Sequence, residues 1–173
     1  MADQYAEAIL QNLAEKQIIT IEQANDLRKK LEEGGNLWKL VVDTEIATED
    51  QYTQAYAMAI GLPYVKISDL NIPKEVLSVI PESTAREHRI IAYEQTPDAL
   101  RVAMADPSDR QIIEFIRKKV DLPVEVSVTT ANSVREALAK YQDTLETELQ
   151  NLVQQVQATL PEGEDLSKVA EDL

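Results

Sequence analysis

The sequence predicts an α+β fold: a four-helix domain made of two helical hairpins, then a small α/β sandwich in the order β-α-α-β-β-α-β-α, then a C-terminal helix. Three observations carry this. Helix-capping motifs recur 28 residues apart near the start, the apolar period shortens to that of strands after Gly61, and a narrow apolar stripe at helical spacing runs from Leu145 to Leu160.

Thr20-Ile21-Glu22-Gln23 and Thr48-Glu49-Asp50-Gln51 both have the form of a capping box, in which Thr accepts from the third amide of a new helix and Gln reaches back. Carried backward, the same offset aligns Ile9 with Leu37, Leu13 with Val41, Ala14 with Val42 and Ile18 with Ile46. After the first cap, Ala24, Leu27 and Leu31 form a stripe that stops at Gly34-Gly35; after the second, Tyr52, Ala55, Tyr56 and Ala59 stop at Gly61. Residues 1–61 therefore read as one helical repeat domain.

Residues 62–142 change character. Leu62-Pro63-Tyr64-Val65-Lys66-Ile67 reads as a short strand, and Pro73 and Pro81 each open a helix, the first through Val76, Leu77 and Ile80, the second through Ala85. Residues 89–94 and 100–105 are strand-prone runs joined by the turn signal Gln95-Thr96-Pro97-Asp98. Asp106-Pro107-Ser108-Asp109 then caps a helix with Ile112, Ile113, Ile116 and Val120, residues 124–128 alternate as a strand, and Thr130 caps a helix with Val134, Leu138 and Tyr141. From Asp143 to Leu173 the chain reads as an acidic helix and linker. Leu145, Leu149, Leu152, Val156 and Leu160 form its stripe, Pro161 ends it, and Glu162-Gly163-Glu164-Asp165 is loop-like. The stripe is expected to pack on its own domain or to tether a following one, since little more than two heptads is short for a dimerising coiled coil.

Composition removes several classes of function. One His and no Cys cannot supply a zinc site, and a nucleophile–base pair would have to be built on His88 alone. Glycines at 34, 35, 61 and 163 leave no phosphate-binding loop for ATP or a dinucleotide. No catalytic, cofactor-binding or metal-binding residue is therefore assigned. The formal net charge of -14 opposes nucleic acid and anionic lipid as partners, and no apolar run is long enough to insert in a membrane. Half of that charge lies in residues 143–173, which hold 1 basic and 8 acidic side chains. Asp106 and Asp109 read as a helix N-terminus, His88 as a solvated or salt-bridged side chain among Arg86, Glu87 and Arg89, and Arg117-Lys118-Lys119 as partners of a helix C-terminus.

With these elements in place, residues 5–142 resemble the N-terminal region of the type II secretion and type IV pilus assembly ATPases, the GspE and PilB family (MshEN-like). The matching stretches are Gly61-Leu62-Pro63-Tyr64-Val65, Ile80-Pro81 with Ala85-Arg86 and Arg89-Ile90-Ile91, LRVAMADPSD from Leu100 to Asp109, and Ser133-Val134-Arg135-Glu136-Ala137-Leu138. The resemblance implies a non-catalytic docking or regulatory domain, cytoplasmic or peripheral to the inner membrane. Its partner would be the cytoplasmic part of an inner-membrane platform protein, and an ATPase core would follow in cis after Leu173. A free-standing adaptor or regulatory module on the same domain is the alternative.

Some members of the resembled family bind cyclic di-GMP through a motif that opens each helical unit with Arg-Leu-Gly and places a second Gly seven residues on. Here the units read Ala8-Ile9-Leu10 with Gln17 and Asn36-Leu37-Trp38 with Glu45, so the arginines and glycines are gone. Cyclic di-GMP is not expected to bind unless Arg28 or Lys39 rebuilds a non-standard site. Trp38, beside Leu37, Leu40 and Val41, reads first as a core plug for the lost pocket; the alternative assigns it, with Tyr52 and Tyr56, to a partner interface.

Overall fold

The structure is a computed structural model that describes residues 3–159. The expected Leu160 position, the stop at Pro161 and the loop at 162–165 lie outside the described residues. Residues 1–137 form one compact unit, and a second begins at Leu138.

The repeat is present down to individual hydrogen bonds. Helices α1 (Ala6–Glu15), α2 (Ile21–Glu32) and α3 (Glu49–Ile60) are joined by a shorter helical stretch that loosens to π winding over Lys39–Asp43. Both capping boxes form: Thr20 Oγ1 accepts from Gln23 N and Thr48 Oγ1 from Gln51 N, each at 3.1 Å, and each Gln returns to the Thr amide at 2.9 Å. Ile9, Leu10, Leu13, Leu27, Leu37 and Val41 pack together, fully buried, as the core of this part. Helix α2 closes at Gly34 and α3 at Gly61, both with positive φ. At Gly35 a Cβ would lie 2.8 Å from both Lys30 O and Leu40 Cδ1, so the chain crosses there because no side chain intervenes.

The sheet has three strands in the order β1-β2-β3. Strands β1 (Ile90–Gln95) and β2 (Leu100–Met104) form the expected hairpin, with a register shift between Ala92 and Glu94. Strand β3 (Val124–Val128) pairs parallel to β2, and α6 (Arg110–Val120) makes the crossover that parallel pairing requires. The strand expected over 62–67 shrinks to a single parallel bridge between Tyr64 and Val128. Pro63 has no amide to donate, so only Val65 N–H to Val128 O (2.9 Å) and Val128 N–H to Pro63 O (2.7 Å) form before the chain turns into a 3-10 segment at Ile67–Asp69. Helices α4 (Lys74–Leu77) and α5 (Glu82–His88) follow Pro73 and Pro81 and pack near β1.

The helical repeat and the sheet are bonded to each other. Tyr64 Oη donates to Asp50 Oδ1 at 2.7 Å, α3 lies against β3, and Glu49 at the first turn of α3 accepts from the backbone N–H of Asn132. Burial between these elements, with Asp50 beside it, raises the Glu49 pKa. Burial and the bond to Asp50 likewise push the Tyr64 hydroxyl upward.

The helix expected after Thr130 and the one expected from Asp143 are a single helix, α7 (Ala131–Thr159). No glycine or proline interrupts those residues, so the change in charge at Asp143 has nothing with which to stop a helix. Leu145, Leu149, Leu152, Val153 and Val156 are exposed on it.

Candidate partner interface

The loops that end the first helix of each repeat unit close in the same way. Gln17 N donates to Ala14 O and Ile18 N to Leu13 O, both at 3.0 Å; 28 residues on, Glu45 N donates to Val42 O (3.1 Å) and Ile46 N to Val41 O (3.0 Å). This pair of bonds places the residue after the helix in the left-handed region, and Gln17 and Glu45 both have φ 60°. These are the two positions at which the resembled motif carries its second glycine. The glycine's conformation is kept while the glycine is gone.

The remaining motif positions are filled. Leu10 is fully buried in the repeat core and Leu37 is 1% exposed. Asn36 accepts Lys39 N on its Oδ1 at 3.1 Å, a capping bond that occupies the position of the second arginine. Arg28 is held by Glu7, with Nε and Nη2 at 2.9 and 2.7 Å from the two carboxylate oxygens, and it also donates to Asn25. That guanidinium lowers the Glu7 pKa. With three of its five N–H donors engaged and its charge paired with Glu7, Arg28 is a poor candidate for rebuilding a phosphate site. Lys39 is exposed.

The three assigned interface residues differ in their burial. Tyr52 is buried in the core, 4% exposed, so it cannot itself face a partner. Trp38 is half-buried and stands edge-to-face on Tyr52, ring centres 5.1 Å apart at 85°. Tyr56, one turn along α3 from Tyr52, is half-buried and meets Tyr5 edge-on at 6.2 Å. Trp38 thus packs against the repeat core at Tyr52 while staying half-exposed.

The acidic and histidine positions elsewhere behave as local structure. Asp109 Oδ1 accepts Ile112 N at 3.4 Å, capping α6, and its Oδ2 lies 2.8 Å from His88 Nδ1. Asp106 Oδ1 accepts Ser108 N at 3.1 Å. Among the described residues no group of three or more His, Cys, Asp and Glu side chains is placed to hold a metal, and no helix is long and apolar enough to cross a membrane. Phe115, on the flank of the α6 face that buries Ile112 and Ile116, is exposed, which the apolar pattern of the helix did not single out.

The chain is 24% identical over 166 residues to the type IV pilus assembly ATPase PilB of Myxococcus xanthus, covering 91% of this chain and 29% of that protein. It is 30% identical over 117 residues to PilB of Thermus thermophilus, covering 66% of this chain and 13% of that one. The chain thus spans under a third of the length of these curated relatives. Its fold is similar to that of a structure of MshE with cdg (TM-score 0.59, 21% identity, 77% of this chain and 97% of that one). It is also similar to the N-terminal domain of XpsE (TM-score 0.51, 21% identity, 76% and 92%). The MshEN domain family matches residues 60–148, from the end of α3 through the sheet and into α7, and the chain belongs to that family as a GspE/PilB-like N-terminal domain.

Proposed function

We propose that the chain is a non-catalytic docking module of a type II secretion or type IV pilus assembly ATPase, attaching the motor to the cytoplasmic part of an inner-membrane platform protein. The observation that carries this reading is the filled repeat. Its scaffold, its caps and even its left-handed turns are kept, while Leu10 and Trp38 occupy the positions where a phosphate would need bare backbone. A protein surface is the use that remains. Trp38 and Tyr56 serve as its anchors, with Tyr52 behind Trp38 as a support, since half-buried aromatic rings held by packed neighbours are what protein interfaces select. In this reading the domain acts in the cytoplasm, at the inner membrane only through its partner, and a catalytic core lies elsewhere in the protein.

A second reading, a receptor for cyclic di-GMP with a non-standard site, draws on the likeness to MshE with cdg. Titration calorimetry separates the two. Each lost charge-assisted contact costs about 1.5–3 kcal/mol, so two missing arginines remove several decades of affinity. No saturable heat is expected with cyclic di-GMP at micromolar concentration, whereas the cytoplasmic domain of the cognate platform protein should bind, and Trp38→Ala should weaken it at least tenfold. A micromolar constant for cyclic di-GMP, or platform binding indifferent to Trp38 and Tyr56, would refute the docking reading.

A further inference from the structure

Helix α6 carries a cation and an exposed aromatic ring on its outer side. Its N-terminus is capped by Asp109, and Arg110 follows as the first helical residue. Phe115, the chain's one phenylalanine, is 55% exposed while Ile112 and Ile116 of the same helix are buried. Arg110, Gln111, Glu114, Phe115 and Lys118 line a shallow groove of about 430 Å³.

The other charges of α6 have local employment. Arg117 pairs with Glu114, and Lys119 Nζ donates to the Val79 carbonyl at 3.2 Å. Among the described residues, Arg110 and Lys118 have no ion-pair partner. Counted along the helix, four basic side chains face one acidic in a chain whose formal net charge is -14. At a rise of about 1.5 Å per residue, Arg110 and Lys118 stand about 12 Å apart along the axis, with Phe115 between them. Charge range then selects the partner. A membrane or a nucleic acid is an extended polyanion that meets the whole acidic chain, whereas a short acidic segment, screened beyond a Debye length of about 8 Å, meets a face on which Arg110 and Lys118 flank Glu114, whose charge is already paired with Arg117.

We propose that the outer face of α6 is a docking surface for an acidic amphipathic helix of a partner protein. Two carboxylates about two turns apart reach Arg110 and Lys118, and the apolar side chain between them covers Phe115. The surface is distinct from the Trp38 and Tyr56 anchors, and the proposal does not rest on the docking reading given for them.

Fluorescence anisotropy on the whole chain tests it, with a labelled, stapled helical peptide that carries a leucine stripe and two glutamates two turns apart. The control is the same peptide with lysines in place of the glutamates. Saturable binding of the glutamate peptide alone is expected, weakened about tenfold by Phe115→Ala and by Arg110→Gln. Arg110→Gln should leave the melting temperature unchanged or slightly higher, which separates lost binding from lost folding. Raising the salt from about 50 to about 500 mM should weaken the parent chain more than Arg110→Gln. Absence of saturation, equal binding of the lysine peptide, or variants with parental affinity would overturn the proposal. So would tighter binding to phosphatidylglycerol vesicles than to the peptide, which would assign the face to a membrane.

Discussion

Replacing Gln17 and Glu45 by glycine should stabilise the chain. Both hold φ 60°, and the turn bonds around them are backbone to backbone, so glycine removes none of them. An L-residue in the left-handed region costs about 1–2 kcal/mol, and glycine returns about 0.5–1 kcal/mol through the greater freedom of the unfolded chain. About 0.5–1 kcal/mol per site remains. Both side chains are exposed, so little packing is lost with them. The two turns share no partner and their effects should add to about 1–2 kcal/mol, which for a chain of this size raises Tm by about 3–6 °C. Thermal and urea denaturation followed by circular dichroism measure this. Gln17→Ala serves as the control, because alanine keeps the left-handed penalty and should give no gain. A double glycine variant that melts at or below the parent would refute the argument from strain. The same variant should still fail to bind cyclic di-GMP, because Leu10 and Trp38 remain in place.

The other predictions follow from burial and charge. Trp38→Ala should cost about 2 kcal/mol, roughly half the loss for a fully buried Trp, and parental emission should be only partly quenched by acrylamide; a loss near zero would detach Trp38 from the core. Tyr64 is held neutral by burial and by Asp50, so its folded pKa stands above the unfolded value of about 10. A group of this sign contributes fully below that value and is lost as pH rises through the folded pKa, so stability should fall above about pH 10. Tyr64→Phe should flatten that alkaline fall, and an unchanged slope would contradict the assignment. Because residues 1–137 form one compact unit, limited proteolysis should not release stable halves by cutting at Gly34-Gly35 or near Gly61, and recovery of such halves would count against it.

The parts legible in the sequence are those governed by interactions a few residues long. The two capping boxes, the helix ends at Gly34 and Gly61, the β1–β2 hairpin and the Asp109 cap each depend on bonds spanning a short stretch of chain, and each formed where its residues predicted. The repeat was legible for the same reason, because two copies of one local pattern declare each other. The edges of elements were less so. The segment at 62–67 has strand composition, but whether it joins a sheet depends on β3, some sixty residues away, and Pro63 allows it only one bridge. Nothing local distinguishes Tyr52 from Tyr56, one turn apart on α3, yet packing buries the first and leaves the second half open. The exposure of Phe115 is likewise set by packing, since the helix pattern shows which residues are apolar but not which face finds a neighbour. Local residues therefore fixed the helical repeat and the strand–strand–helix–strand order from Ile90 to Val128, but neither a further strand at 62–67 nor a helix break at Asp143 formed. Only the tertiary structure decided which aromatic rings reach the surface, because burial depends on contacts between segments far apart in the chain.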